Sequence, residues 1–197
     1  DGSSVDGMGR VARCLALANA MQRRRYQMTF VTNIDNVAWP DRIRRHRHSI
    51  LKSPHAAGSE LDRASLLREI ETRRPVVVVT DSPDIDEEYL ALLSHRVPLV
   101  ISVDEFARGA FPSDIVLNPT LGTSSKDYEV YPGTQILAGD RYAMVRSEFR
   151  RARNVRATEP GGAVRILVAL GGGEVARPTA RLAEALLAEN KIEKVDA

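Results

Sequence analysis

Val76-Val77-Val78-Val79-Thr80-Asp81 is a continuous apolar run that ends in an acid, and its reading decides the fold. A run without polar alternation marks a strand covered on both faces, as in a parallel sheet. Pro98–Val103 (PLVISV) repeats the pattern and again ends in an acid, Asp104. Ile115-Val116-Leu117-Asn118 and Gln135-Ile136-Leu137-Ala138 read as further short strands. Between and before these runs, apolar residues recur at helical spacing. Residues 10–25 form one predicted helix, with Val11, Cys14, Leu15, Leu17, Ala18 and Met21 near its apolar face. Residues 59–73 form another, capped by Ser59 or Asp62, burying Leu61, Leu66, Leu67 and Ile70, and stopped by Pro75. A short helix spans 85–94, and Gln27–Thr32 is a strand. Strands alternating with helices give an α/β class with a parallel sheet.

In such sheets ligands sit beyond the carboxyl ends of the strands. Asp81, Asp104 and Asn118 occupy those ends and are site candidates by position; each could instead cap a loop. Gly7-Met8-Gly9-Arg10 opens directly into the first helix. Small residues there let backbone N–H groups approach a phosphate or sugar, at a helix start that carries partial positive charge. Gly7-x-Gly9-x-x-Ala12 also matches a short dinucleotide fingerprint. The acid expected at the end of the second strand is replaced by Thr32-Asn33, with Asp35 following late. A NAD(P)-dependent oxidoreductase is therefore an alternative reading.

The bulk numbers exclude several classes. The 197 residues carry 28 Lys and Arg against 26 Asp and Glu, a net charge of +2. This balance does not predict a nucleic-acid partner. The basic excess is local, at Arg42, Arg44, Arg45, His46, Arg47, His48 and Lys52; such a cluster could touch nucleic acid or membrane lipid, but no aromatic residue is interleaved with it and a solvated face is the favoured reading. One cysteine, Cys14, permits no intrachain disulfide and no cysteine zinc cluster. No apolar run approaches the roughly 18–20 residues of a membrane span. A cytoplasmic protein without metal or cofactor is expected. His46, His48, His55 and His95 are expected at the surface, in loops or at helix ends. Trp39-Pro40 reads as part of a loop over the cleft or as a packing anchor.

Residues 1–150 form the expected N-terminal Rossmann-like domain, and the polar stretch 151–162 the linker. Residues 163–197 open a second α/β domain: a strand at 164–170, Gly171-Gly172-Gly173-Glu174, then a helix from about Thr179 to Leu187. With no strand before the first glycine loop and no sheet for the second domain, the sequence reads as a fragment of a two-domain protein.

Taken in order, these stretches resemble a known family. They are Asp1-Gly2-Ser3-Ser4 through Gly7-Met8-Gly9, Arg13-Cys14-Leu15-Ala16-Leu17-Ala18, and Thr80-Asp81-Ser82-Pro83-Asp84-Ile85-Asp86. They continue with Val103-Asp104-Glu105, Asp114–Pro119, Ala138–Phe149 and Leu170–Glu174. The chain is similar to the UDP-sugar hydrolases of pseudaminic acid biosynthesis and the related spore-coat polysaccharide proteins, kin to the MurG-type glycosyltransferases. The resemblance implies a two-domain GT-B-like fold with a UDP-linked sugar nucleotide in the cleft. It implies metal-free cleavage of the bond between the anomeric carbon and the UDP oxygen, with water as acceptor.

That family places a catalytic histidine after the second loop glycine; here the residue is Arg10. Arginine stays protonated and cannot act as a general base, but its planar fork suits a phosphate. Asp6, Asp81, Asp104 and Glu105 are then the candidates for a base or for holding sugar hydroxyls. Asp6 could equally cap the first helix, and Asp104 could order a loop. By the resemblance, Gly7, Gly9, Arg10, Ser82, Asn118, Arg146, Gly171, Gly172, Gly173 and Glu174 line the substrate. Tyr142 and Phe149 are read as packing between domains, as is Arg146 if it does not reach ligand. The expected activity is a divergent UDP-sugar hydrolase or a glycosyltransferase-like enzyme; the alternative within this scaffold is a catalytically inactive binding module of the same pathway.

Overall fold

A computed structural model describes residues 2–3, 7–107, 109–129, 131–155, 165–171, 175–189 and 194–196. Helices and strands alternate through the first half of the chain: α1 (Gly9–Gln22), β1 (Thr29–Thr32), α2 (Ala38–Arg45), β2 (Ser49–Lys52), α3 (Glu60–Arg73), β3 (Val78–Thr80), α4 (Glu87–Ser94) and β4 (Val100–Val103). Then come β5 (Ile115–Asn118), β6 (Gln135–Ala138), α5 (Ser147–Arg153), β7 (Arg165–Leu167), α6 (Ala176–Leu187) and β8 (Lys194–Asp196). Every pairing between these strands is parallel: β1 with β2, β3-β4-β5-β6 in sequence order, and β7 with β8. The parallel α/β class is as the apolar runs predict. Gly2, just before the glycine loop, forms a parallel bridge to Ile34, just past β1. The backbone entering the loop thus already runs along the sheet direction.

Two apolar clusters hold these layers. Val11, Leu15 and Ile43 pack with Phe30, Ile34, Trp39 and Ile50, seating α1 and α2 against β1 and β2. Ile70, Tyr89, Leu93, Val97 and Val100 pack with Leu66, Leu67, Val78 and Ile85, seating α3 and α4 against the larger sheet. Leu93 has no exposed surface; burying such a side chain contributes about 1.5–3 kcal/mol. The helix ends are marked as their residues suggest. Ser59 Oγ accepts from Asp62 N at 3.2 Å at the start of α3, and Asp86 accepts from Tyr89 N at 2.8 Å at the start of α4. The helix α3 closes on Arg74 in the left-handed region (φ 46°), directly before Pro75. Gly58, at φ 78°, lies against the loop after β3: a Cβ there would meet the Asp84 carbonyl oxygen at 1.8 Å.

Of the two readings of Trp39, the packing anchor holds: it packs on the α1 cluster, and Trp39-Pro40 lie in the first turn of α2, where proline needs no N–H partner, not in a loop. Other expectations are corrected. Leu61 is 63% exposed, because it falls on the outer face of α3. Val76 is also exposed, ahead of β3, so the run at 76–79 is covered only toward its end. His48 is buried beside Asn19, its Nε2 at 3.0 Å from Asn19 Oδ1, whereas His46 and His95 are exposed helix caps. The first residues of the expected linker, 151–153, are helical and close α5. The strand β8, which the sequence reading lacks, pairs with β7 after α6, making a further β-α-β unit. Among the described residues no helix is long and apolar enough to cross a membrane.

Candidate functional site

The carboxyl ends of β3, β4 and β5 are adjacent by register, since Thr80 pairs with Ser102 and Val103 with Leu117. They bring Asp81, Asp104, Glu105 and Asn118 to one rim of the sheet. Helix α1 contributes Arg13 and Cys14 to the same rim. Arg13 Nε and Nη2 donate to Asp81 Oδ2 and Oδ1 at 2.7 and 2.5 Å, while Nη1 reaches Glu105 Oε1 at 2.5 Å. One guanidinium therefore ties the helix to two neighbouring strand ends, and its rigid fork fits the bidentate half. The Asp81 side chain is only 6% exposed, against 36% for Glu105. Burial draws the Arg13 pKa downward, but hydrogen bonds and charge from Asp81 and Glu105 outweigh it and hold the group above its ordinary value. The arginine is a fixed cation.

Cys14 Sγ lies 3.2 Å from Asp81 Oδ2. Burial first, and the Asp81 carboxylate second, push its thiol well above the ordinary range. A protonated, buried thiol is a poor nucleophile, so Cys14 serves as a donor to Asp81.

Asp104 is held differently. Its Oδ2 accepts from Phe106 N at 3.1 Å, Ala107 N at 2.6 Å and the Tyr128 hydroxyl at 2.6 Å. Ala107 is drawn into the left-handed region by this turn (φ 52°). Tyr128 in turn accepts from Asn118 Nδ2 at 2.8 Å, and Asn118 Oδ1 accepts from Thr120 N at 2.9 Å. Burial, then the bond to Asp104, raises the Tyr128 hydroxyl pKa well above its usual value. The hydroxyl thus keeps its proton and donates it toward Asp104. Asn118 has no exposed surface and both ends of its amide are occupied, which places it beneath Tyr128 and away from the rim surface. Asp104 Oδ1 and Glu105 Oε2 have no partner among the described residues. Both residues are partly exposed, the Glu105 side chain at 36%.

The glycine loop borders this rim. Gly7 donates to Ser3 O at 2.9 Å and sits at φ 80°, a conformation that a side chain would strain. Gly9 opens α1, and a Cβ there would meet nothing within 4 Å. The space over the helix start is open. Met8 precedes the helix, with no side-chain cap on it and no acid in the first turn. Arg10 lies three residues before Arg13, on the same stripe of α1. Among the described residues no carboxylate pairs with it.

The remaining sequence candidates lie elsewhere. Ser82 exchanges hydrogen bonds with Asp84 within its own turn. Arg146 precedes α5 and stacks over Phe149 at 5.0 Å. Gly171 follows β7 in the left-handed region (φ 98°) with open space around it. Gly172, Gly173, Glu174 and Asp6 lie outside the described residues. Among the described residues no group of three or more His, Cys, Asp and Glu side chains converges as a cation site. Arg13 and Tyr128 carry no role in the sequence reading. A charged residue flanked by Val11, Cys14 and Leu15 was the available signal for Arg13, because a cation beside a packing face needs a partner. Tyr128 sits in an irregular loop and offered none.

No family model matches the chain. The chain is similar to the uncharacterized protein MJ1062 of Methanocaldococcus jannaschii, with 25% identity over 198 residues. That match covers 97% of this chain and 39% of the archaeal protein, so the chain spans well under half the length of its relative.

Proposed function

We propose that this chain is the N-terminal part of a GT-B-like protein that binds a sugar nucleotide, UDP-linked by family resemblance, at the rim formed by α1 and the ends of β3 and β4. The observation that carries the reading is that α1 brings to one rim a helix start with no side-chain cap and Arg10 with no carboxylate partner, among the described residues, beside the partly exposed Asp104 and Glu105. Arg10 and the α1 amides suit a diphosphate, because both favour negative charge at that point. The carboxylate oxygens suit sugar hydroxyls or the proton of an incoming hydroxyl.

The reaction that fits is nucleophilic substitution at the anomeric carbon. Glu105 or Asp104 takes the proton of water or of an acceptor hydroxyl. The oxygen bonds to the anomeric carbon, and the carbon–oxygen bond to the diphosphate breaks with its electron pair leaving on UDP. Arg10 offsets the charge that develops on the leaving group. Asp81, engaged on both oxygens, has a positioning role through Arg13.

The catalytically inactive binding module is the second reading, favoured by Arg10 standing where the family has its histidine. A NAD(P)-dependent enzyme is less well supported, since β1 ends in buried Thr32 with no acid at the position that would meet a ribose.

The deciding experiment measures UDP release from a panel of UDP-sugars by the intact protein and its Arg10→His variant. Release by the parent without acceptor supports hydrolysis through a carboxylate. Release by the variant alone supports a scaffold that binds or transfers. Silence from both, with no UDP-sugar binding by calorimetry, rejects the sugar-nucleotide reading.

A further inference from the structure

At the opposite, amino ends of β1 and β2 the chain makes a second recess. Two turns face one another there: Arg25 follows α1 and Arg47 follows α2. Both arginines sit in the left-handed region, at φ 68° and 63°. A non-glycine residue pays roughly 1–2 kcal/mol for that conformation. The recess between them measures about 380 Å³ and is lined by Arg25, Tyr26, Arg47, His48, Ser49 and their neighbours, with no acid among them.

The frame is well tied. Arg25 N donates to Gln22 O and Arg47 N to Arg44 O, each at 2.8 Å. Gln22 Nε2 donates across to His46 O at 3.1 Å, and Ser49 N to Met28 O at 3.0 Å. Buried His48, anchored on Asn19, forms part of the wall. Neither Arg25 nor Arg47 has a side-chain partner among the described residues. Residues 22–52 carry eight Lys and Arg against two Asp, and Asp41 is taken by Arg44 at 3.1 Å. Arg23, Arg24, Arg44 and Arg45, which precede the two turns in sequence, are exposed. Two unpaired forks across a fixed recess, in an excess of like charge, form a complement to a compact multivalent anion.

We propose that this recess is a second ligand site, for a phosphate-bearing group gripped between Arg25 and Arg47. It lies at the other end of the strands from the Arg10 rim and does not depend on the reading given there. A diphosphate or phosphomonoester fits the paired forks. The single partly exposed aromatic, Tyr26, does not make the row of stacking platforms that single-stranded nucleic acid uses.

The test measures inorganic pyrophosphate binding to the intact protein by calorimetry, in an Arg10→Ala background that weakens the other rim. It compares the parent with Arg25→Gly/Arg47→Gly. Glycine relieves the left-handed backbone, so this variant keeps or raises its unfolding midpoint while losing both forks. The expected result is at least tenfold weaker pyrophosphate binding. Flotation with phosphatidylcholine vesicles, with and without phosphatidic acid, identifies the source. Double-variant-sensitive capture by the acidic vesicles assigns a lipid headgroup, and pyrophosphate binding without capture assigns a soluble phosphorylated ligand. Unchanged pyrophosphate affinity in the double variant overturns the proposal. So does binding of neither probe, or a single-stranded oligonucleotide that binds more tightly than pyrophosphate and is lost in the same variant.

Discussion

The two ends of the parallel strands treat charge in opposite ways. At the carboxyl rim, Asp81 meets a guanidinium and a thiol, and Asp104 meets two amides and a phenol. At the amino ends of β1 and β2, Arg25 and Arg47 have no acidic partner among the described residues. The pairing at the first rim orders the groups and leaves Asp104 Oδ1, Glu105 Oε2 and Arg10 as its open chemistry. The absence of pairing at the second leaves the charge itself available. A charged residue is therefore informative about ligands mainly where the fold has not already answered it.

The strongest way to break this contrast is to remove Arg13. Arg13→Ala leaves the nearly buried Asp81 carboxylate uncompensated, which costs about 3–5 kcal/mol in urea unfolding. Most of that belongs to the Asp81 arm, because the Glu105 arm is partly exposed and screened. Adding Asp81→Ala should recover part of the loss, with a coupling of at least ~1 kcal/mol. A loss below ~1 kcal/mol for Arg13→Ala would mean that water already solvates Asp81, and the contrast between the rims would fail.

Tyr128→Phe comes next. It strips one donor from Asp104 and leaves the fully buried Asn118 amide without its acceptor, for about 1–3 kcal/mol. If the Asp104 turn supports ligand, the variant also loses UDP-sugar affinity, which the stability loss alone does not explain. Asn118→Ala alone separates the two, since it disturbs the buried amide and its bond from Thr120 N while leaving the Tyr128 donor on Asp104.

Arg10→Ala sharpens the comparison from the other side. With no carboxylate partner among the described residues, its removal should change stability by less than about 0.5 kcal/mol. Loss of a charge-assisted phosphate contact of about 1.5–3 kcal/mol should weaken sugar-nucleotide binding by tenfold or more. Equal binding by parent and variant would take Arg10 out of the site.

The sheet was legible because continuous apolar runs leave few alternatives. Ile115–Asn118 and Gln135–Ala138 emerge with their bounds unchanged, and Ser59 announces α3 by capping chemistry, whereas the short helix expected from residue 85 starts after its cap, Asp86. Helix α2 was hidden because Trp39-Pro40 and the arginines after it look like a loop, although proline is compatible with a first turn. The site was half legible. Strand-end position brought out Asp81, Asp104 and Asn118 alike, yet the fold gives them three situations: a guanidinium clamp, a turn around one oxygen, and full burial. Position along a strand is written in the local sequence. What stands opposite is not, because Arg13 and Asp81 are 68 residues apart.

The smallest effect expected is a pH dependence beside the basic recess. Burial, and secondarily the charge of His46, hold the His48 pKa below its ordinary value. His48 is therefore kept neutral in the folded chain, while the unfolded chain takes up a proton near pH ~6.5. Its contribution to stability is complete above that value and is lost as pH falls through it toward the lower folded pKa. Urea midpoints at pH 7.5 and 5.5 should thus differ more in the parent than in His48→Gln, whose amide can still reach Asn19 without titrating. Equal pH dependence would show that His48 accepts its proton inside the folded wall, so that the recess gains a further cation in mild acid and would hold its anion more tightly there.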